Sequence, residues 1–139
     1  MREILFRGKD CETREWLTGY FVQQKNFIGG IHSCIFQNFS EENRWEMKRV
    51  RLETVGQYTG HKDDTGKRIF EGDIVSFTDG TSTESGFWET CCCGKVGYDE
   101  EESCFYVSNR LSAESWEVLD GCHIIGNIFD NPELLEQIE

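Results

Sequence analysis

Short runs of aromatic and β-branched residues, each ended by a glycine or aspartate turn signal, recur along this chain. Residues 16–22 and 31–39 are two such runs, and the turn signal Gly29-Gly30 lies between them. Side chains of these types pack well on a pleated surface, and a glycine turn lets neighbouring strands pair as a hairpin. The pattern predicts a mainly β protein built largely from hairpins.

Alternation with a period of two indicates strands in the N-terminal segment as well. Ile4 and Phe6 fall on one face of a strand, because successive strand side chains point to opposite sides of the sheet. Charged and apolar residues also alternate over residues 45–55, which predicts a strand, with a short helix as an open alternative. The polar stretch 56–66 predicts a turn, since glycine and aspartate favour tight turns.

The C-terminal half repeats this combination of strands and turns. Glu71-Gly72-Asp73 predicts a turn between two short strands within residues 67–77, where the glycine accepts a positive φ. Small residues over 79–86 predict a mobile loop. Asn131 and Pro132 predict the cap and first residue of a short C-terminal helix. Further strands are predicted over residues 87–93, 94–98, 104–107 and 122–128, with the acidic run 99–102 as a hairpin tip.

The composition fits one folded domain, or a small domain with an additional layer. The 139 residues are 37% hydrophobic and 13% aromatic and include one proline, unlike a disordered chain. The apolar stretches are far shorter than the roughly 20 residues that cross a bilayer, and the charged N-terminus carries no export signal. The sequence therefore predicts a cytoplasmic protein that does not enter a membrane.

The net charge of -12 is concentrated in the C-terminal part. Residues 1–52 contain 9 Lys/Arg and 7 Asp/Glu, a balance of +2, whereas residues 53–139 contain 5 and 19, a balance of -14. Because Lys and Arg contacts to phosphates supply most non-specific affinity for nucleic acid, direct binding by the acidic part is not expected. A basic cluster over residues 44–51 is best interpreted as a solvated strand or loop face.

Seven cysteines are the sharpest chemical signal in the sequence. An odd number without an export signal favours free thiols over a disulfide framework. A tetrahedral zinc site needs four ligands, which Cys91, Cys93, Cys104 and either Cys122 or His123 could supply. The spacing lacks the paired C-x2-C knuckles of a zinc ribbon. The sequence therefore predicts free, mostly buried thiols, with no metal and no cofactor.

No catalytic constellation is apparent in the sequence. Cys122 and His123 are neighbours that would face opposite sides of a strand, so they cannot pair as nucleophile and base. Glu71 and Asp73 could hold a cation or act as acid and base, but Asp73 is better explained as an acceptor for backbone amides of the turn. Phosphate-loop, GxSxG, HExxH and EF-hand patterns are absent. No enzymatic activity is expected.

Three segments carry a family resemblance. The most diagnostic is residues 53–75, ETVGQYTGHKDDTGKRIFEGDIV, supported by an opening segment at residues 1–7 and 16–20 and a closing motif at residues 124–135. Together they resemble the YopX family of bacteriophage and prophage proteins. The middle of the chain, including Cys91-Cys92-Cys93, departs from the family pattern.

The resemblance implies a β-rich fold in which an N-terminal β region packs on a small C-terminal β-barrel of the SH3-like kind. We predict the N-terminal region over residues 1–52, the barrel over 53–130, and the helix and tail over 131–139. The resemblance implies no catalytic residues, because none is established for the family, and fold alone does not name a function.

The preferred functional interpretation is a non-catalytic phage accessory protein that binds a host or phage protein and forms a homo-oligomer. The candidate contact residues are Gln57, Tyr58, Thr59 and His61, in a polar and aromatic segment beside a glycine turn. Alternatively, Tyr58 packs over the barrel end and its hydroxyl caps a turn. The competing interpretation is a nucleic-acid-associated protein, above all an acidic mimic of DNA that occupies host DNA-binding machinery.

Overall fold

A computed structural model describes residues 1–39, 41–110, 115–118 and 121–138 of the chain. The chain divides into two compact units, residues 1–58 and residues 59–139. Both units are built from antiparallel strands, so the predicted mainly β class is confirmed. The division falls six residues after the predicted boundary between residues 52 and 53.

The first unit is a ladder of antiparallel strands in the order β4-β3-β2-β1-β5. Its buried core consists of Leu17, Ile35 and Val50, against which Phe6, Phe21 and Val55 pack. These residues share one face of the sheet, as the period of two requires. The strands are β1 (Phe6–Lys9), β2 (Trp16–Lys25), β3 (Ile31–Phe39), β4 (Arg44–Arg49) and the beginning of β5 (Gly56–Lys62).

The strand predicted over residues 45–55 ends earlier than expected. β4 stops at Arg49, and Leu52–Thr54 form a single 3-10 turn, so the helical alternative holds for the end of this stretch. The Thr54 hydroxyl donates to the carbonyl of Arg51 at 2.6 Å and accepts the amide of Lys9 at 2.9 Å. These bonds use backbone groups that would otherwise continue the strand ladder.

The polar stretch 56–66 is mostly strand, so the turn predicted there is wrong except at its end. Residues 56–62 form β5, and Phe6 and Arg7 of β1 pair with its first two residues. Gly60 has a positive φ of 90° within the strand. The turn itself is confined to residues 63–66, because only there does the chain reverse towards the next strand.

The second unit contains a five-stranded antiparallel sheet in the order β10-β9-β8-β7-β11. Within the described residues the two edge strands of this sheet stay apart, and the predicted closed barrel is not seen. Its core is Ile69, Val75, Val96, Val107, Val118 and Cys122. The elements are β6 (Arg68–Phe70) beside the end of β5, β7 (Asp73–Thr83), β8 (Gly86–Asp99), β9 (Cys104–Ser108), β10 (Trp116–Glu117), β11 (His123–Asn127) and α1 (Pro132–Ile138).

The loop predicted over residues 79–86 is instead the end of a long hairpin. The β7–β8 ladder continues from Ile74↔Lys95 to Thr83↔Gly86, and only Glu84 and Ser85 form the turn. Ladder hydrogen bonds satisfy the backbone whatever the side chains are, which is why small polar residues could not reveal the strand.

The strands predicted over 87–93 and 94–98 are likewise one strand, β8. Gly94 lies within this strand and does not form a turn. A Cβ at this position would lie 2.8 Å from the carbonyl oxygen of Ser108 on the neighbouring strand, so the glycine allows the two strands to approach closely.

The predicted C-terminal helix is confirmed, with Pro132 as its first residue. The side-chain oxygen of Asn131 accepts the amide of Asn127 at 3.1 Å, and the Asn131 amide donates to the Asn127 carbonyl at 2.9 Å. Asn131 thus ties the helix start to the preceding turn. Among the described residues, no helix has the length and apolar character to cross a bilayer.

Candidate binding surfaces

The solvent-facing side of the first unit's sheet carries a group of large apolar side chains, Tyr20, Phe36, Trp45 and Met47, which we call the aromatic surface. Tyr20, Phe36 and Met47 lie directly opposite one another on β2, β3 and β4, and Trp45 is two residues from Met47 on the same face. Trp45 stacks on Phe36 at 4.8 Å between ring centroids and on Tyr20 at 6.1 Å.

The aromatic surface is open to solvent. Tyr20 is 52% exposed, Trp45 45% and Met47 42%, although the strands on which they lie contribute other side chains to a buried core. Cross-strand aromatic pairs of this kind stabilise a sheet by about 0.2–1 kcal/mol each, which explains why the rings stack on one another. It does not explain why the outer faces of the rings are left exposed to water. An exposed cluster of stacked rings is a feature of binding surfaces.

The β2–β3 hairpin ends in a second apolar feature, the hairpin tip formed by Phe27 and Ile28. Both side chains are essentially fully exposed. Asn26 fixes the loop beneath them: its side-chain oxygen accepts the amide of Gly30 at 2.7 Å and that of Ile28 at 3.2 Å. The tip therefore presents two large apolar side chains on an ordered turn.

The four contact residues predicted from the sequence lie along β5 rather than in a loop, and His61 is in the strand rather than in a turn. Tyr58 is buried, and its amide donates to the carbonyl of Leu5 at 2.8 Å. The Thr59 hydroxyl donates to the carbonyl of Ile69 at 2.8 Å and accepts the amide of His61 at 3.2 Å. Gln57 and His61 are partly exposed. The burial of Tyr58 favours the packing alternative for that residue.

The turn at Glu71-Gly72-Asp73 has the structure predicted for it. Gly72 has a φ of 89°, and the Asp73 carboxylate accepts the amide of Phe70 at 2.8 Å. Asp73 is buried, whereas Glu71 is partly exposed. Asp73 fixes the backbone of the turn, as the sequence predicted.

All seven cysteines are free thiols, but the prediction that most of them are buried is wrong. Cys34 and Cys122 are buried, Cys92 and Cys93 are partly exposed, and the remainder are exposed: Cys11, Cys91 and Cys104. Cys11 lies in the turn after β1, Cys91 lies within β8, and Cys104 is the first residue of β9. Burial raises the pKa of Cys93, and Cys91 and Cys92 add to this effect.

A polar cluster that sequence reasoning missed lies at the turn after β5. Asp63 and Asp64 of this turn meet His123 at the start of β11, and His123 Nδ1 is 2.7 Å from Asp64 Oδ1. Asp64 and His123 also line a cavity of about 720 Å³ together with Ser76, which pairs with His123 in the β7–β11 ladder. The sequence carried no signal for this contact beyond the residue types.

Antiparallel sheets, one of which has an exposed aromatic surface, define the chain as a two-unit β protein. The chain belongs to the YopX protein family, whose sequence profile matches residues 5–136. The resemblance seen in the sequence is thereby confirmed.

One solved structure has a similar fold. The crystal structure of protein EF1440 from Enterococcus faecalis is similar to this chain with a TM-score of 0.52 and 21% sequence identity, over 97% of this chain and 99% of that chain. At this identity the likeness shows the fold alone. No curated protein is significantly similar to this chain in sequence.

Proposed function

We propose that this chain is a non-catalytic protein-binding module of phage or prophage origin that contacts its partner through the aromatic surface. The observation that carries the proposal is the stack of Tyr20, Trp45 and Phe36 on the solvent side of the first unit's sheet. Tyr and Trp are the residue types that most often dominate protein-binding energy, because they bring large apolar area with few rotatable bonds.

Preorganisation strengthens this interpretation. The stacked rings hold one another in place, so association would immobilise few flexible side chains, each of which costs about 0.5–1.5 kcal/mol to fix. The hairpin tip is ordered in the same way by Asn26. Two ordered apolar features on the sheet of the first unit suit a protein partner with a complementary apolar surface.

The test compares the aromatic surface with a matched apolar residue elsewhere. A double variant, Tyr20→Ser with Trp45→Ser, removes the stack, and Phe87→Ser removes an even more exposed aromatic side chain from the second unit. Tagged wild-type and variant proteins are used to capture partners from host and phage-infected lysates, and their mass in solution is measured by light scattering.

We expect a specific partner, or a second copy of the chain, to bind the wild type and Phe87→Ser but not the double variant. Equal capture and equal mass for all three proteins would contradict the proposal.

We further propose that the chain forms a homo-oligomer, that Gln57 and His61 contribute contacts, and that the protein is cytoplasmic. We also propose that the second unit is SH3-like. These proposals rest on the sequence and on its family resemblance.

The acidic-mimic alternative has one feature in its favour. Glu100, Glu101 and Glu102 are exposed together at the β8–β9 turn. The Asp99 carboxylate accepts the amides of Glu101 and Glu102, at 2.9 and 3.2 Å, so the turn also has an ordinary structural explanation. A captured DNA-binding protein that is released by moderate salt, and by neutralising this turn, would favour the mimic.

A further inference from the structure

The cluster of Asp63, Asp64 and His123 brings together three side chains of metal-ligating types from two segments that are far apart in the sequence. One ligand atom from each residue lies within 4.8 Å of the other two. Two carboxylates and an imidazole form a ligand set of oxygen and nitrogen atoms that suits divalent ions of the Zn²⁺ and Mn²⁺ class. The cluster lies in the second unit, and its assignment is independent of the aromatic surface.

Backbone contacts hold the two segments together on both sides of His123. The Asp64 amide donates to the carbonyl of Cys122 at 3.0 Å, and the Ile124 amide contacts Asp63 Oδ2 at 3.4 Å. The ligand atoms are therefore placed by a turn and a strand that are fixed to each other, rather than by mobile side chains alone. Such support is what a preorganised metal site requires.

Hydrogen bonds to both oxygens fix the Asp63 carboxylate in the cluster. The residue is 6% exposed, and its Oδ1 accepts the Thr65 amide at 2.9 Å, the Thr65 hydroxyl at 2.7 Å and the Lys67 amide at 2.8 Å. Its Oδ2 accepts the Ile124 amide at 3.4 Å. The carboxylate therefore has a defined orientation beside Asp64 and His123.

The surroundings leave room for the remaining ligands of an ion. Asp64 and His123 line the cavity of about 720 Å³, and the side chains of Ser76 and Glu117 line it with them. Three protein ligands with open positions towards a cavity are the arrangement in which water or a small molecule completes the coordination. Metal–ligand bonds are about 2.0–2.2 Å, so His123 Nδ1 and Asp64 Oδ1 would separate by only a few tenths of an ångström to admit the ion.

We propose that Asp63, Asp64 and His123 bind one divalent transition-metal ion per chain, with its open coordination positions facing the cavity. The ion takes the place of the proton between His123 Nδ1 and Asp64 Oδ1. It balances the charges of two adjacent carboxylates.

Mn²⁺ is the probe of choice because seven free thiols would compete for Zn²⁺, whereas Mn²⁺ prefers oxygen and nitrogen ligands. Free Mn²⁺ is followed by its electron paramagnetic resonance signal while protein is added under reducing conditions. Asp64→Asn and His123→Gln test the site, since both side chains are about half exposed and their replacement leaves the core intact. His61→Gln is the matched control, a histidine outside the cluster.

We expect saturation at one Mn²⁺ per chain for the wild type and for His61→Gln, with an ion-dependent rise in melting temperature. Asp64→Asn and His123→Gln should each weaken binding by more than about tenfold and abolish that rise. Absence of saturable binding, or binding that both cluster variants retain, would overturn the proposal. A Co²⁺ spectrum dominated by thiolate charge-transfer bands would also overturn it, since the ion would then lie on the cysteines.

Discussion

The carboxylate of Asp73 accepts a hydrogen bond from the backbone amide of Phe70 at 2.8 Å, across the turn that joins β6 to β7. Both residues are buried, so neither group has water as an alternative partner. Asp73→Ala should therefore lower the free energy of unfolding by about 1–3 kcal/mol, since it leaves a buried amide unsatisfied. Denaturant unfolding of this variant beside the exposed control Glu100→Ala measures the difference. Equal losses in the two variants would show that the bond contributes nothing specific.

Gly72 is the turn residue that a side chain would strain. Its φ of 89° lies in the left-handed region, and its amide and carbonyl bond to Val96 and Ile128, both at 2.9 Å. Because those bonds keep the residue from relaxing, Gly72→Ala should destabilise the fold by about 1–2 kcal/mol. The melting temperature of the variant checks this, and an unchanged value would be incompatible with the positive φ.

Asp63 should make the stability of the protein sensitive to acid. Burial opposes ionisation, but hydrogen bonds from Thr65, Lys67 and Ile124 outweigh it and hold the pKa of Asp63 below its ordinary value of 3.8. A carboxyl with a lowered pKa in the folded state contributes stability above its unfolded pKa and loses it as the pH falls through the folded pKa. The contribution is therefore complete above about pH 5 and declines below the ordinary value.

Asp63→Asn should accordingly flatten the dependence of unfolding free energy on pH below 4, measured with a chelator present to keep metal out of the comparison. Asp10→Asn should flatten the same curve, because hydrogen bonds from the backbone amides of Glu12 and Thr13 also lower the pKa of Asp10. Curves for the wild type and Asp63→Asn that stay parallel down to pH 2 would show that Asp63 does not titrate with folding.

The thiols should react in an order set by exposure. Cys11, Cys91 and Cys104 are exposed, whereas Cys34 and Cys122 are buried, and burial raises the pKa of Cys34. Since the thiolate is the reactive form, Cys34 should label last. Timed alkylation followed by peptide mass spectrometry gives the order. Rapid labelling of Cys34 in the native protein would mean that the first unit opens locally.

Local patterns in the sequence predicted local structure well. The span of β3, the turn at Gly72, the role of Asp73 and the start of the helix at Pro132 each depend on a few neighbouring residues, and the structure has each of them. Where small polar residues alone carried the prediction of a loop, it was wrong, as over residues 79–86. A hairpin ladder is made by backbone groups, to which side-chain composition is a poor guide.

The candidate sites were harder to predict because they depend on pairing between distant strands. Tyr20, Phe36 and Trp45 are visible as strand residues, but which face they share follows only from the register of β2, β3 and β4. Asp64 and His123 meet because the turn after β5 bonds to the segment before β11. No short-range pattern encodes that contact, so the sequence indicated His123 only as a possible zinc ligand beside the cysteines and gave no sign of Asp63 or Asp64.

The strand order in the sheet of the second unit determines the order in which its strands can pair during synthesis. β7 pairs with β8 through a two-residue turn, but it also pairs with β11, which leaves the ribosome only after β8, β9 and β10. Closing the longer loop costs more entropy, so the β7–β8 hairpin should form first. Val118 and Cys122 are then the last residues to join the core. Until they do, the core of the second unit is incomplete, and pulsed hydrogen exchange should show the amides of that hairpin protected well before those of β11.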